Sequence, residues 1–310
     1  VQTLYIPGEP TNYMVEAFEG ELTVAQAALE VNANDASKVY GDTDPAFSYE
    51  ITAGALAWDD GFTGALTRVA GEQAGTYRIT QGTLNAGDNY QITFKNGSFT
   101  ITKRPVSVTA NAIYKVYGDA DPVLTYRITD GSLAGTDAFS GVLTREAGEN
   151  AGTYSIGQGS LSAGSNYELT FVGSVLTITP RPVSITADSK SKVYGSADPV
   201  LSWKLTSGSL AGTDAISGSL VRTSGERTGT YSILQGTLSA GPNYILSFNG
   251  ASFTITPASL TVKANDLTIY AGQTPVYTST ITGFVNGDTR ASVVSGEPQY
   301  SVSGDITQPG

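Results

Sequence analysis

Apolar and polar residues alternate along this chain in short runs. Tyr90-Gln91-Ile92-Thr93-Phe94 puts Tyr90, Ile92 and Phe94 on one face of an extended segment. Phe47-Ser48-Tyr49-Glu50-Ile51-Thr52 alternates in the same way, and so does Leu29-Glu30-Val31-Asn32-Ala33. Further strands are predicted at Ser37–Tyr40, Ala65–Val69 and Thr76–Gln81. Gly, Pro, Asp and Asn punctuate the runs, as at Asp44-Pro45 and Asp59-Asp60-Gly61. Asn96-Gly97 is a dipeptide that favours a two-residue hairpin turn, so Phe99–Thr102 is predicted to return antiparallel to Tyr90–Phe94. No stretch carries a helical period. Six or seven short strands in under about a hundred residues predict an all-β, immunoglobulin-like sandwich.

The pattern repeats. Lys38-Val39-Tyr40-Gly41-Asp42-Thr43-Asp44-Pro45 returns as Lys115–Pro122 and again as Lys192–Pro199, at a step of 77 residues. Gly75-Thr76-Tyr77, Asn89-Tyr90 and Phe99-Thr100-Ile101-Thr102 recur in the same register. A fourth opening follows at Ile269-Tyr270-Ala271-Gly272. A fixed period of this kind marks a tandem array. The predicted units are residues 28–104, 105–181 and 182–258. Residues 1–27 match the closing strands of a preceding unit, with Tyr13 and Val15 facing inward. Residues 259–310 match the opening strands of a further one, with Val262 and Tyr277 in the core. The joints Lys103-Arg104-Pro105, Pro180-Arg181-Pro182 and Pro257-Ala258 are short and proline-stiffened, so an elongated, semi-rigid rod is expected. Each end of the segment carries what the other lacks. Copies joined head-to-tail, covalently or by strand donation, would make a filament.

Composition narrows the chemistry. The 310 residues contain no Cys and no His. Disulfides, thiolate nucleophiles and histidine-dependent triads or zinc sites are excluded. A net charge of −11 opposes nucleic-acid binding, because phosphates would be repelled. No run of about 18 apolar residues exists to insert in a membrane as a helix.

Two groups of residues remain as candidate sites. Asp42 with Asp44, and Asp119 with Asp121, have a spacing that could offer oxygen ligands to Ca2+. The other reading is that they cap turns before proline. Trp58, beside Asp59 and Asp60, stands where the other units have Gly135 and Gly212. An exposed indole next to carboxylates could stack on a sugar and bond its hydroxyls. The other reading is that Trp58 covers the end of its own sandwich. Tyr40, Tyr77, Tyr90, Trp203 and their counterparts are assigned to the core. No carboxylate pair has the signature of an active-site pocket, so no enzyme activity is expected.

The repeated Val-Tyr-Gly, the Gly-Thr-Tyr, the Asn-Tyr strand and the closing Thr-Ile-Thr-Pro resemble the MBG family of bacterial surface repeats, of the Tyr-Gly type. Tyr40, Tyr117 and Tyr194 match the eponymous position; Tyr270 departs by being followed by Ala271. The resemblance implies a stalk or fibre segment of a large extracellular or surface-anchored adhesin, with no catalytic residues. Its implied partners are adjacent repeats, or copies of itself, and surface glycans or a neighbouring cell. A glycan-binding array is the alternative function.

Overall fold

The structure, a computed structural model, describes residues 20–270 and 272–303. The expectation for Tyr13 and Val15 lies outside the described residues. The chain forms two compact units. One holds the described residues up to Ala112 with Val123–Glu146 and Ser155–Val175. The other holds Ile113–Pro122, Ala147–Tyr154 and the described residues from Leu176 onward. The division therefore runs through the second repeat, not between repeats.

The first repeat lies wholly in the first unit. Its strands are β1 (Ala27–Ala33), β2 (Ala36–Val39), β3 (Tyr49–Ala53), β4 (Thr67–Arg68), β5 (Gly75–Thr80), β6 (Tyr90–Lys95) and β7 (Gly97–Thr102). They form two sheets, ordered β3-β1-β6 and β2-β7-β5-β4. Strand β1 is antiparallel to β3, with a register shift at Glu30/Val31, and parallel to β6. Strand β2 leaves for the other sheet and runs parallel to β7. Strand β5 is antiparallel to β7.

The predicted hairpin at Asn96-Gly97 does not form. Strands β6 and β7 lie in different sheets, and the chain crosses between them there. Gly97 lacks the positive φ that a two-residue Asn-Gly turn demands. A Cβ at Gly97 would lie 2.8 Å from the Ala33 carbonyl oxygen. Glycine is needed for this close approach of two backbones, and the sequence signal for a turn was read from the wrong property.

The sandwich closes on side chains from both sheets. Leu29 and Val31 on β1 meet Ile79, Phe99 and Ile101 on β5 and β7, all essentially buried. Each such side chain contributes about 1.5–3 kcal/mol on burial. Phe47 packs edge-on to Phe99, with ring centres 5.4 Å apart. On β6 the inward residues are Tyr90, Ile92 and Phe94, as the alternation predicts.

The other repeats reuse this plan. In the first unit, Arg104–Ala110, Tyr126–Gly131 and Tyr167–Val172 form the counterpart of the β3-β1-β6 sheet. In the second unit, Ile113–Val116 pairs in parallel with residues 176–179. The third repeat lies wholly in the second unit and has both sheets in the order seen in the first. Its core gathers Ala187, Ile233, Phe253 and Ile255. Trp203 is half-buried at the start of its strand.

The fourth copy differs. Thr261–Ala264 pairs antiparallel with Ser279–Thr282. A single helical turn, Arg290–Val293, follows a capping box at Thr289, and the alternation pattern did not predict it. Val262 and Tyr277, assigned to the core from sequence, are 57% and 37% exposed. Among the described residues no second sheet covers them, and a two-stranded sheet cannot bury its own apolar face.

Candidate functional site

The Lys-Val-Tyr-Gly-Asp-x-Asp-Pro stretch does two jobs, one inside its repeat and one toward the next. The inward job belongs to the lysine and the second aspartate. Alternation on β2 turns Lys38 inward, and its side chain is almost wholly buried. A buried ammonium must be paired. Its Nζ lies 2.7 Å from Asp44 and 2.5 Å from Glu72. Arg68 on β4 donates to Asp44 at 2.5 and 3.1 Å, and also to Glu72. Its guanidinium lies over the Phe99 ring at 4.9 Å, a cation–π contact that seats the ion cluster on the core. The third repeat repeats it with Lys192, Asp198, Glu226, Arg222 and Phe253. In the second unit Lys115 lies 2.6 Å from Asp121 and 2.5 Å from Glu149.

These contacts set the charge states. The Arg68 guanidinium, with help from Lys38 and against the effect of burial, holds the Asp44 carboxyl down at about 2. Arg222 and Lys192 do the same for Asp198, also at about 2. Burial pulls the Lys38 ammonium down, but the hydrogen bonds to Asp44 and Glu72 outweigh it and raise it.

The outward job belongs to the tyrosine, the glycine and the first aspartate. Tyr40, assigned to the core from sequence, packs half-buried against the core of its own repeat and also reaches the next repeat. Its hydroxyl donates to Asp137 Oδ2 at 3.0 Å. The same oxygen accepts from the Tyr167 hydroxyl at 2.6 Å, and that hydroxyl accepts from the Ala134 N–H at 2.8 Å. The Tyr40 and Tyr167 rings meet edge-to-face with centres 5.4 Å apart. Gly41 has φ +84°, and a Cβ there would sit 2.4 Å from the Ala134 Cβ. Only glycine allows the turn and the contact together. Arg104, in the joint, donates to the Tyr40 carbonyl at 2.7 Å and pairs with Asp42. The Asn166 side chain accepts from the Ala74 N–H at 2.9 Å.

The second unit holds an independent copy of this junction. Tyr117 and Tyr244 both donate to Asp214 Oδ2, at 2.9 and 2.6 Å. Their rings are 5.4 Å apart, edge-to-face. Gly118 faces Ala211 as closely as Gly41 faces Ala134. Arg181 takes the Tyr117 carbonyl and pairs with Asp119. A third junction keeps the Tyr194–Asp288 hydrogen bond, at 2.9 Å. It has Ser196 and Ala258 where the others have aspartate and arginine. A cleft of about 460 Å³, lined by Tyr194, Ala258, Phe284, Val285 and Asp288 among others, lies there.

The residues singled out from sequence fall as follows. Asp42 and Asp44 are split between the two jobs, one on Arg104 and the other on Lys38 and Arg68. Asp119 and Asp121 are split likewise, between Arg181 and Lys115. A Ca2+ ion would have to displace these cations. Among the described residues no three metal-ligating side chains cluster. Trp58 is 95% exposed and does not cover its sandwich. Its φ of 51° matches Gly135 at 53° and Gly212 at 52°, a left-handed conformation costing an L residue about 1–2 kcal/mol. Asp59 is exposed. Asp60 accepts from the Tyr90 hydroxyl at 2.6 Å, as Asp137 does from Tyr167.

Sequence reasoning missed the arginine clamp and the junction tyrosine. A signal for the clamp was present: the repeat that loses the first aspartate, at Ser196, also loses the joint arginine, at Ala258.

Fold and junction together define an all-β, repeat-based structural module. The model of the MBG domain (YGX type) matches residues 29–100, 106–177, 183–254 and 260–309, and the chain belongs to that family. No curated protein matches the chain. Among solved structures, the I9–I11 tandem of titin is 8% identical and covers 73% of this chain and 98% of its own. Its TM-score is 0.18, too low to bear on the argument.

Proposed function

We propose that this chain is a stalk or fibre segment of a large extracellular bacterial adhesin or surface filament. The observation that carries the reading is the repeated junction. Tyr40–Asp137–Tyr167 and Tyr117–Asp214–Tyr244 lock successive repeats with one set of contacts. A module that spends its most repeated residues on joining itself to its neighbour is suited to transmitting position or force. Its work on this reading is mechanical. Antibodies against the chain should label intact cells of the organism that makes it. Labelling only after permeabilisation overturns the extracellular assignment.

One observation favours a second reading, a glycan-binding array: Trp58 keeps its indole in solvent at a cost in backbone strain. A glycan array probed with the chain and with Trp58→Ala decides it. Binding lost in the variant supports glycan recognition, and no binding leaves the mechanical role alone.

A further inference from the structure

The chain enters the first repeat through β1 and β2 and leaves it through β7. Both entering strands pair in parallel with a closing one, β1 with β6 and β2 with β7. The other two full repeats keep both pairs. Arg104–Ala110 runs parallel to Tyr167–Val172, and Arg181–Ala187 to Tyr244–Asn249. Ile113–Val116 runs parallel to residues 176–179, and Lys190–Val193 to residues 253–256.

The direction of pairing decides how tension acts. A pull on the two chain ends of a repeat draws β2 toward its own start and β7 toward its own end. In a parallel pair these points lie at opposite ends, so the strands are made to slide past each other. The ladder hydrogen bonds run across the strands, and sliding strains all of them at once. An antiparallel pair pulled in the same way would open from one end, bond by bond.

The repeated motifs reinforce this pair. Strand β2 has only four residues and lies at a sheet edge. The Thr102 hydroxyl donates to the Lys38 carbonyl at 3.2 Å, and the Tyr40 N–H donates to the Thr102 carbonyl at 2.9 Å. Thr179 makes the same two bonds with Lys115 and Tyr117, and Thr256 with Lys192 and Tyr194. The Lys38 ammonium bonds Glu72, which lies in the turn between β4 and β5, beyond β7 in the order of the sheet. Lys115–Glu149 and Lys192–Glu226 make the same tie. Sliding β2 along β7 would stretch a hydrogen bond to a buried charge, which is costly to lose.

We propose that the β2–β7 pair and its counterparts are shear latches, which bear tension along the chain and are locked by the lysine–glutamate tie. The proposal rests on the reading of the chain as a stalk or fibre segment. Cell labelling tests that reading by location, whereas pulling tests the latch.

The test is single-molecule force spectroscopy of the full chain, pulled in two directions. The sequence has no Cys, so engineered pairs alone take the handles. Asn34→Cys with Lys103→Cys loads opposite ends of the β2–β7 pair. Ser37→Cys with Thr100→Cys loads two positions that face each other in that pair and parts the strands sideways. At one loading rate the first geometry should need several-fold more force than the second. Forced unfolding reports the unfolding barrier. In the first geometry Lys38→Met keeps the aliphatic stem and removes the tie. It should raise the unfolding rate at fixed force at least about tenfold, as expected for a charged hydrogen bond broken before the transition state. The comparison of directions leaves the ion cluster intact, so it reads the latch even where Lys38→Met fails to fold. Equal force in the two directions overturns the latch. A Lys38→Met repeat that holds as long as wild type overturns the lock. Neither result alters what labelling of intact cells says about location.

Discussion

Tyr40 and Asp137 stand 97 positions apart in sequence and are joined by a hydrogen bond of 3.0 Å. The bond makes the tyrosine of the Tyr-Gly motif a link between repeats. Tyr40→Phe removes one of the two hydroxyls on this carboxylate and should cost about 0.5–1.5 kcal/mol at the junction. Asp137→Ala leaves both hydroxyls without their acceptor and should cost more, about 1–3 kcal/mol. Hydrogen exchange at the Ala134 amide, which bonds the Tyr167 hydroxyl, should speed up in that order. Equal exchange in both variants and wild type would show that the bond carries no load.

Gly41 is tested against a glycine of similar conformation in open space. Gly87 has φ +92° and nothing near its missing Cβ, whereas Gly41 faces Ala134 at 2.4 Å. Gly87→Ala should lose only the left-handed penalty of about 1–2 kcal/mol. Gly41→Ala should lose that and the junction packing as well. Denaturant unfolding of the two variants compares them, and equal destabilisation removes the packing argument.

Acid should weaken the ion clusters. Asp44 and Asp198 have folded values of about 2, below the ordinary 3.8. A depressed carboxylate contributes stability that is present above the unfolded value and is lost as pH falls through the folded one. These two residues therefore predict a loss of stability between about pH 4 and pH 2. Thermal unfolding followed across that range should show the decline. Asp44→Asn should flatten the part that belongs to the first repeat; an unchanged profile argues against the cluster.

Trp58 in a left-handed conformation predicts a stabilising substitution. Trp58→Gly restores the residue found at Gly135 and Gly212 and should gain about 1 kcal/mol. Calorimetry of the full chain reads it as a rise in the unfolding temperature of the first repeat. A fall would mean that the indole makes contacts worth more than its strain.

The third junction can be given the clamp it lacks. Ser196→Asp with Ala258→Arg should reproduce Asp42–Arg104, a pair that is largely solvent-exposed on its acid side and contributes about 0–1 kcal/mol. Each single variant should gain less than the double variant. A double-mutant cycle measures the coupling.

Much of the repeat was legible in the chain. Alternation alone placed Leu29, Val31, Tyr90 and Ile92 on inward faces, because a strand turns successive side chains to opposite sides. The period exposed the tandem plan, because each repeat must solve the same burial problem with the same residue types. What tertiary structure decided was where extended segments pair and what polar side chains face. Asn96-Gly97 looks like a hairpin, yet β6 and β7 join different sheets, since pairing depends on partners distant in sequence. Lys38 and Tyr40 are two residues apart and share a face by alternation. One is drawn inward to Asp44 and Glu72, and the other, packed between the cores of two repeats, turns its hydroxyl to the next one beside a glycine turn that fits against Ala134. A hydroxyl or an ammonium goes where a partner compensates its lost water, and only the folded chain brings Asp137 to Tyr40.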